Sequence, residues 1–177
     1  QNMLTQHLDT LVTDPEIREY YNENASNYIL DGDMVRVTYV KVPSSAPQIG
    51  QLRYWYRSNN EEDLNKLIDY CSNYAEKCII NGNEWIRFSD LVAETPLNIY
   101  NPGSYLNYNE IIETSDAEYH YFIRINERIR EGEIAPFEMV KENIHSVLLN
   151  KRKIEYIQNL ENTVYKEGVS RDYVEIF

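Results

Sequence analysis

The chain has 177 residues, 42% of them hydrophobic and 26% charged. That suffices for one ordinary domain, or a domain with an appendage, and excludes global disorder. Against 29 Asp and Glu there are only 17 Lys and Arg, a formal charge of -12. This argues against a nucleic-acid partner, whose phosphates demand a basic surface, and against anionic membrane surfaces. No run approaches the ~18 apolar residues of a membrane span, and no signal-peptide pattern is visible.

Residues 1–12 carry Met3, Leu4, Leu8, Leu11 and Val12 at helical spacing without an N-cap. Thr13-Asp14-Pro15-Glu16 then starts a helix to about Asn24, with Thr13 as cap and Glu16 placed for a capping box. Asp31-Gly32-Asp33 is a turn. Met34 to Val42 alternates as a strand and ends at Pro43. Gln48 to Arg57 reads as a short helix with Ile49, Leu52 and Tyr56 on one face. Ser58 or Asn60 caps the next helix, whose first turn holds Glu61, Glu62 and Asp63. Its expected stripe is Leu64, Leu67, Ile68, Cys71, Tyr74, Ala75 and Cys78. Within such a helix seven residues at ~1.5 Å each hold the two cysteine Cα atoms roughly 10 Å apart, too far for a disulfide. With no histidine nearby they are no zinc signature either.

Asn81-Gly82-Asn83 is a turn, Glu84 to Phe88 a short strand, and Ser89 to Val92 the start of a short helix ended by Pro96. Asn98 to Asn107 reads as a loop. Glu110–Glu113 and Glu118–Arg128 read as a hairpin around Thr114-Ser115-Asp116-Ala117, with Tyr119, Tyr121, Ile123 and Ile125 on one face and His120, Phe122 and Arg124 on the other. Gly132 breaks the chain. A long helix runs from Pro136 to about Lys166, its stripe being Val140, Ile144, Val147, Ile154, Ile157, Leu160 and Val164. Val174 to Phe177 reads as a last short strand.

The 16 Tyr against 4 Phe and 2 Trp suit surfaces that touch other proteins, or simply fill strands and helices. Glu61-Glu62-Asp63 reads as a capping face and Lys151-Arg152-Lys153 as a solvated stretch. No G-x-S-x-G, Walker loop, G-x-G-x-x-G or H-E-x-x-H occurs, and neither metal nor cofactor is implied.

The order strand, helices, short strand, helix and closing hairpin resembles that of parvulin-type peptidyl-prolyl isomerases. VRVTYVKV (Val35–Val42) resembles the family's first strand, GNEWIRFSDL (Gly82–Leu91) its glycine turn and strand, and AEYHYFIRINE (Ala117–Glu127) its closing strand. The flanks VTDPEIREYYNENASNYI and GEIAPFEMVKENIHSVLLNKRKIEYIQNLENTVYKEG are similar to the helices bracketing such a domain in SurA-type periplasmic chaperones, in the lipoprotein-like branch of Bacteroidetes-type bacteria.

The resemblance implies an α+β fold: a small antiparallel or mixed sheet with packed helices over residues 33–130, between flanking helices at 1–32 and 131–177, the last long. It implies that residues 1–12 are the tail of a helix begun in a preceding chaperone portion. The family's second pocket histidine falls on His120, but its first falls on Tyr39, and only Cys78 lies near its acid or thiol position. Tyr39 and His120 are expected side by side on adjacent strands as a catalytic floor, with Phe88, Leu91, Tyr105 and Phe122 as the substrate-binding wall.

The implied function is a periplasmic or outer-membrane-anchored folding factor that binds unfolded or proline-containing polypeptides, with weak or no isomerase activity and no small-molecule cofactor. The alternatives are an active isomerase with a remodelled pocket and a purely structural interaction domain. Isomerisation breaks no bond, so the chemistry would require only an apolar ring pocket over a floor that favours the twisted amide.

Overall fold

The computed structural model describes residues 11–170, with side chains to residue 166. The protein is a mixed α+β chain with a small antiparallel sheet, several helices and a long C-terminal helix. The expected helix over residues 1–12 lies largely outside the described residues, as does the expected strand at 174–177.

Two compact units are present. The first joins the segment up to Tyr28 with that from Ala135 onward. Its α1 (Asp14–Asn24) starts as the sequence implies: the Glu16 carboxylate accepts hydrogen bonds from the Thr13 backbone N–H at 2.8 Å and the Thr13 hydroxyl at 2.7 Å. Helix α6 (Phe137–Ser170) packs on α1 through Ile17 and Ile144, both buried. Around that contact the Tyr21 hydroxyl donates to the Ala135 carbonyl at 2.7 Å, and the Arg18 guanidinium lies 4.3 Å from the Phe137 ring centre. Further along α6 the expected stripe is open to solvent, with Ile154 at 56% and Val164 at 63% exposure.

The second unit, Ile29–Ile134, holds the sheet. Its strands are β1 (Met34–Pro43), β2 (Lys77–Ile79), β3 (Ile86–Arg87), β4 (Ile111–Ser115) and β5 (Tyr119–Ile129). The order is β2-β1-β5-β4, every pairing antiparallel, with β3 pairing the start of β1. As the central strand, β1 is covered on both faces. Val35, Val37 and Tyr39 join Phe88, Leu91, Leu106, Ile112, Tyr121 and Ile123 in one core layer. Val40 and Val42 join Leu52, Tyr56, Leu67, Tyr70, Cys71 and Phe122 in the other. Helices α4 (Phe88–Ala93) and α5 (Pro102–Leu106) thus cover the first face, and α2 (Ile49–Trp55) and α3 (Glu61–Tyr74) the second. Helix α5 lies where the sequence reads as loop: Pro102 opens it and the Asn101 side chain caps the Ser104 N–H at 2.9 Å, but five residues are too short to show periodicity.

The cysteine expectation is overturned. Helix α3 ends at Tyr74, Ala75 turns extended, and Cys78 falls on β2, so the Cα atoms come within 6.1 Å and Cys71–Cys78 is a disulfide. The expected α3 stripe also shrinks. Leu67, Tyr70 and Cys71 are buried, whereas Ile68 and Tyr74 are 47% and 45% exposed.

After β2 the chain reverses at Asn81, whose φ of 47° is left-handed. Gly82 then passes so close to β1 that its N–H reaches the Val37 carbonyl at 3.1 Å. A Cβ there would meet Ile79 Cγ2 at 2.7 Å, which accounts for the glycine.

Candidate functional site

Cross-strand pairing decides which side chains share a face, because direct partners in an antiparallel ladder point the same way. Tyr39 pairs with Ile123, Lys41 with Tyr121 and Val42 with His120. Tyr39 therefore lies in the layer with Tyr121 and Ile123, while His120 projects to the other, its ring 6.3 Å from that of Phe122. The expected side-by-side floor of Tyr39 and His120 is not formed. His120 lies opposite Val42, three residues along β1 from Tyr39, and that odd offset sets the two on opposite faces; the β5 side chains on the face of Tyr39 are Tyr119, Tyr121, Ile123 and Ile125.

The expected substrate wall divides in the same way. Phe88, Leu91 and Tyr105 stand on the face of Tyr39, with the Phe88 and Tyr105 rings stacked at 6.4 Å. Phe122 stands on the other face, 5.3 Å from the Tyr56 ring. Phe88, Leu91 and Phe122 are all buried as core, so these three side chains pack against the chain's own interior.

Above Tyr39 lies a layer of tyrosines and ion pairs. The hairpin residue Asp116 accepts the Glu118 and Tyr119 backbone N–H groups on Oδ1, both at 2.8 Å, and the Tyr121 hydroxyl on Oδ2 at 2.6 Å. That hydrogen bond, with burial, pushes Tyr121 up to about 12; the same bond, with those from the Glu118 and Tyr119 N–H groups, holds Asp116 below its ordinary value. Lys41 reaches Glu76 at 2.5 Å and sits 4.0 Å from the Tyr119 ring centre. Lys77 grips both oxygens of Glu94 at 2.7 Å and lies 5.6 Å from the Tyr39 ring. The Tyr39 hydroxyl beneath is buried and finds no hydrogen-bond partner among the described residues. Burial, reinforced by the Glu94 charge, drives its pKa far above the ordinary tyrosine value. Both phenols stay protonated at neutral pH. They can donate hydrogen bonds but cannot serve as general bases there.

Among the described residues no cluster of three or more His, Cys, Asp or Glu could hold a metal ion, and no helix is long and apolar enough to cross a membrane.

No protein-family model matches the chain, and no curated protein matches it. Among solved structures it is similar to one from work on PEB4 and the periplasmic protein Cj1289, two SurA-like chaperones of Campylobacter jejuni. Identity is 11%, the TM-score 0.36, and the match covers 99% of this chain and 68% of that one.

Proposed function

We propose that the protein is an extracytoplasmic folding factor of the SurA-like kind, binding unfolded polypeptide segments, in which a parvulin-like sheet unit has lost the prolyl-isomerase floor. The observation that carries the reading is the arrangement of the chain: a sheet unit, Ile29–Ile134, inserted in sequence between the two flanks that make the helical unit. Its strand, two helices, two short strands, two short helices and closing hairpin follow the order that the sequence motifs resemble, with α5 added. The Cys71–Cys78 disulfide favours an oxidising compartment such as the periplasm, where such bonds persist. Loss of catalysis fits the opposed faces of Tyr39 and His120 and the buried Phe88 and Leu91.

The test pairs two assays on the purified chain. Aggregation of a urea-unfolded outer-membrane protein on dilution should be suppressed at near-stoichiometric ratios. Exchange measured by NMR on a Xaa-Pro peptide should stay at its uncatalysed rate, tens of seconds. Failure to suppress aggregation at excess protein sinks the folding-factor reading. Robust catalysis abolished by His120→Ala restores the active-isomerase alternative.

A further inference from the structure

We infer that the sheet unit carries a binding site for a carboxylate, built around Arg124 and separate from the Tyr39 face. Arg124 stands on β5 among core residues and is only 8% exposed. A buried guanidinium ordinarily has a carboxylate partner, because an uncompensated interior charge is costly. Arg124 has none within ion-pair distance among the described residues. Its acceptors are all neutral: Asn126 Oδ1 at 3.0 Å, the Ser58 carbonyl at 2.9 Å, Asn81 Oδ1 at 3.2 Å and Thr38 Oγ1 at 3.4 Å. These bonds fix the fork from four segments: β5, β1, the turn before α3 and the turn at Asn81. They hold its position without neutralising its charge.

The charge borders a cavity of about 520 Å³. Arg57, Asn59 and Asn83 also line it, so a second guanidinium and two side-chain amides share its wall. The acids on the wall set the ligand's charge. Glu127 is held by Arg36 at 3.2 Å, and Glu110 lines the cavity with it. Arg57 is shared with Glu113, which it meets at 2.5 Å outside the cavity lining. With Glu127 neutralised by Arg36 and Arg57 by Glu113, the lining charges without an ion pair among the described residues are Arg124 and Glu110, a balance that admits a planar monoanion on Arg124 and disfavours a dianion such as phosphate. Carboxylate is the chemistry that fits, supplied either by a polypeptide C-terminus or by a small free acid. This site does not depend on the folding-factor reading.

The experiment is an amide-resolved NMR titration of the folded chain with acetate, a tripeptide with a free C-terminus, the same tripeptide amidated, and inorganic phosphate, at constant ionic strength. Saturable shifts at the Gly82, Asn83 and Asn126 amides are expected with acetate and the free-acid peptide, and none with the amidated one. Tighter binding of the free-acid peptide than of acetate assigns a polypeptide terminus as the source, and equal binding assigns small acids. Arg124→Gln should weaken binding about tenfold or more. Should that variant not fold, the cavity-wall pair Asn83→Asp and Asn83→Lys should move the affinity in opposite directions, down and up. Unsaturated shifts, an equal response to the amidated peptide, phosphate binding tighter than acetate, or Asn83 variants without opposite effects each overturn the inference.

Discussion

Tyr39 and Tyr121 stand on one face of the β1–β5 pair, yet only one of their hydroxyls is satisfied: Tyr121 donates to Asp116 at 2.6 Å, while that of Tyr39 is buried without a partner. An unpaired buried hydroxyl is a desolvation cost with no return. Tyr39→Phe should therefore leave the sheet unit as stable or stabilise it by about 1 kcal/mol, whereas Tyr121→Phe should destabilise it. Urea unfolding followed by tryptophan fluorescence measures both. Clear destabilisation by Tyr39→Phe would mean that the hydroxyl has a partner in solution.

Glu113 ties the edge strand β4 to the helices behind it. It accepts the Tyr56 hydroxyl at 2.8 Å, Arg53 Nε at 2.8 Å and Arg57 Nη2 at 2.5 Å. Burial works to raise its pKa, but hydrogen bonds from Tyr56, Arg53 and Arg57 outweigh that and hold it below the ordinary glutamate value. A carboxylate depressed by folding stabilises the protein above its unfolded-state pKa, and that contribution fades as pH falls through the folded value. Glu113→Gln should cost about 2 kcal/mol at neutral pH. The gap from the parent chain should narrow in the acid range below the ordinary glutamate pKa. A pH-independent difference refutes this assignment.

The disulfide closes a short loop from the last turn of α3 to β2. For a loop of about eight residues the chain-entropy relation gives about 2.5 kcal/mol. Chemical denaturation with and without reductant, and of the Cys71→Ser/Cys78→Ser double variant, should show a loss near that size. Peptide mapping without reductant should recover the two cysteines linked; free thiols in protein matured in an oxidising compartment would overturn the pairing.

Asp33 and Arg128 form a largely buried ion pair at 2.9 Å. Arg128 also reaches the Gly103 carbonyl and Asn107, so the pair joins the entry to β1, the end of β5 and α5. Asp33→Ala strands the guanidinium and should cost about 3–5 kcal/mol. Asp33→Ala with Arg128→Met should recover part of that, as a double-mutant cycle would read. No recovery means that the loss lies in removing the Asp33 carboxylate itself and not in the Arg128 guanidinium it leaves unpaired.

Elements with a clean period or cap were legible in the sequence: the Thr13 start of α1, the alternating β1, the acid-capped α3 and the hairpin of β4 and β5. Two readings failed for physical reasons. The apolar run of α3 continues past Tyr74 into Cys78 with no glycine or proline to mark the break, so a turn looked like more helix and hid the disulfide. On β5 the motif match at His120 implies a place beside Tyr39, but His120 lies opposite Val42, three residues along β1, and with a period of two an odd offset puts the side chains on opposite faces. Arg124 was correctly grouped with His120 and Phe122 by alternation. Its lack of a counter-charge, however, is a property of Ser58, Asn81 and Asn126 converging from distant sequence, which no local pattern displays.

Ile29 and Ile134 pair as a bridge, with the Leu30 N–H on the Glu133 carbonyl at 2.9 Å and the Gly132 N–H on the Leu30 carbonyl at 2.8 Å. The chain therefore enters and leaves the sheet unit through a single zipped neck. On the helical side the Ala135 N–H closes onto the Tyr28 carbonyl at 2.8 Å. Adjacent termini make a module portable: about a hundred residues could be excised, exchanged or grafted into an unrelated loop while the host polypeptide need bridge only a narrow gap. Such a neck lets an insert change, or be exchanged whole, without rebuilding the helices that carry it.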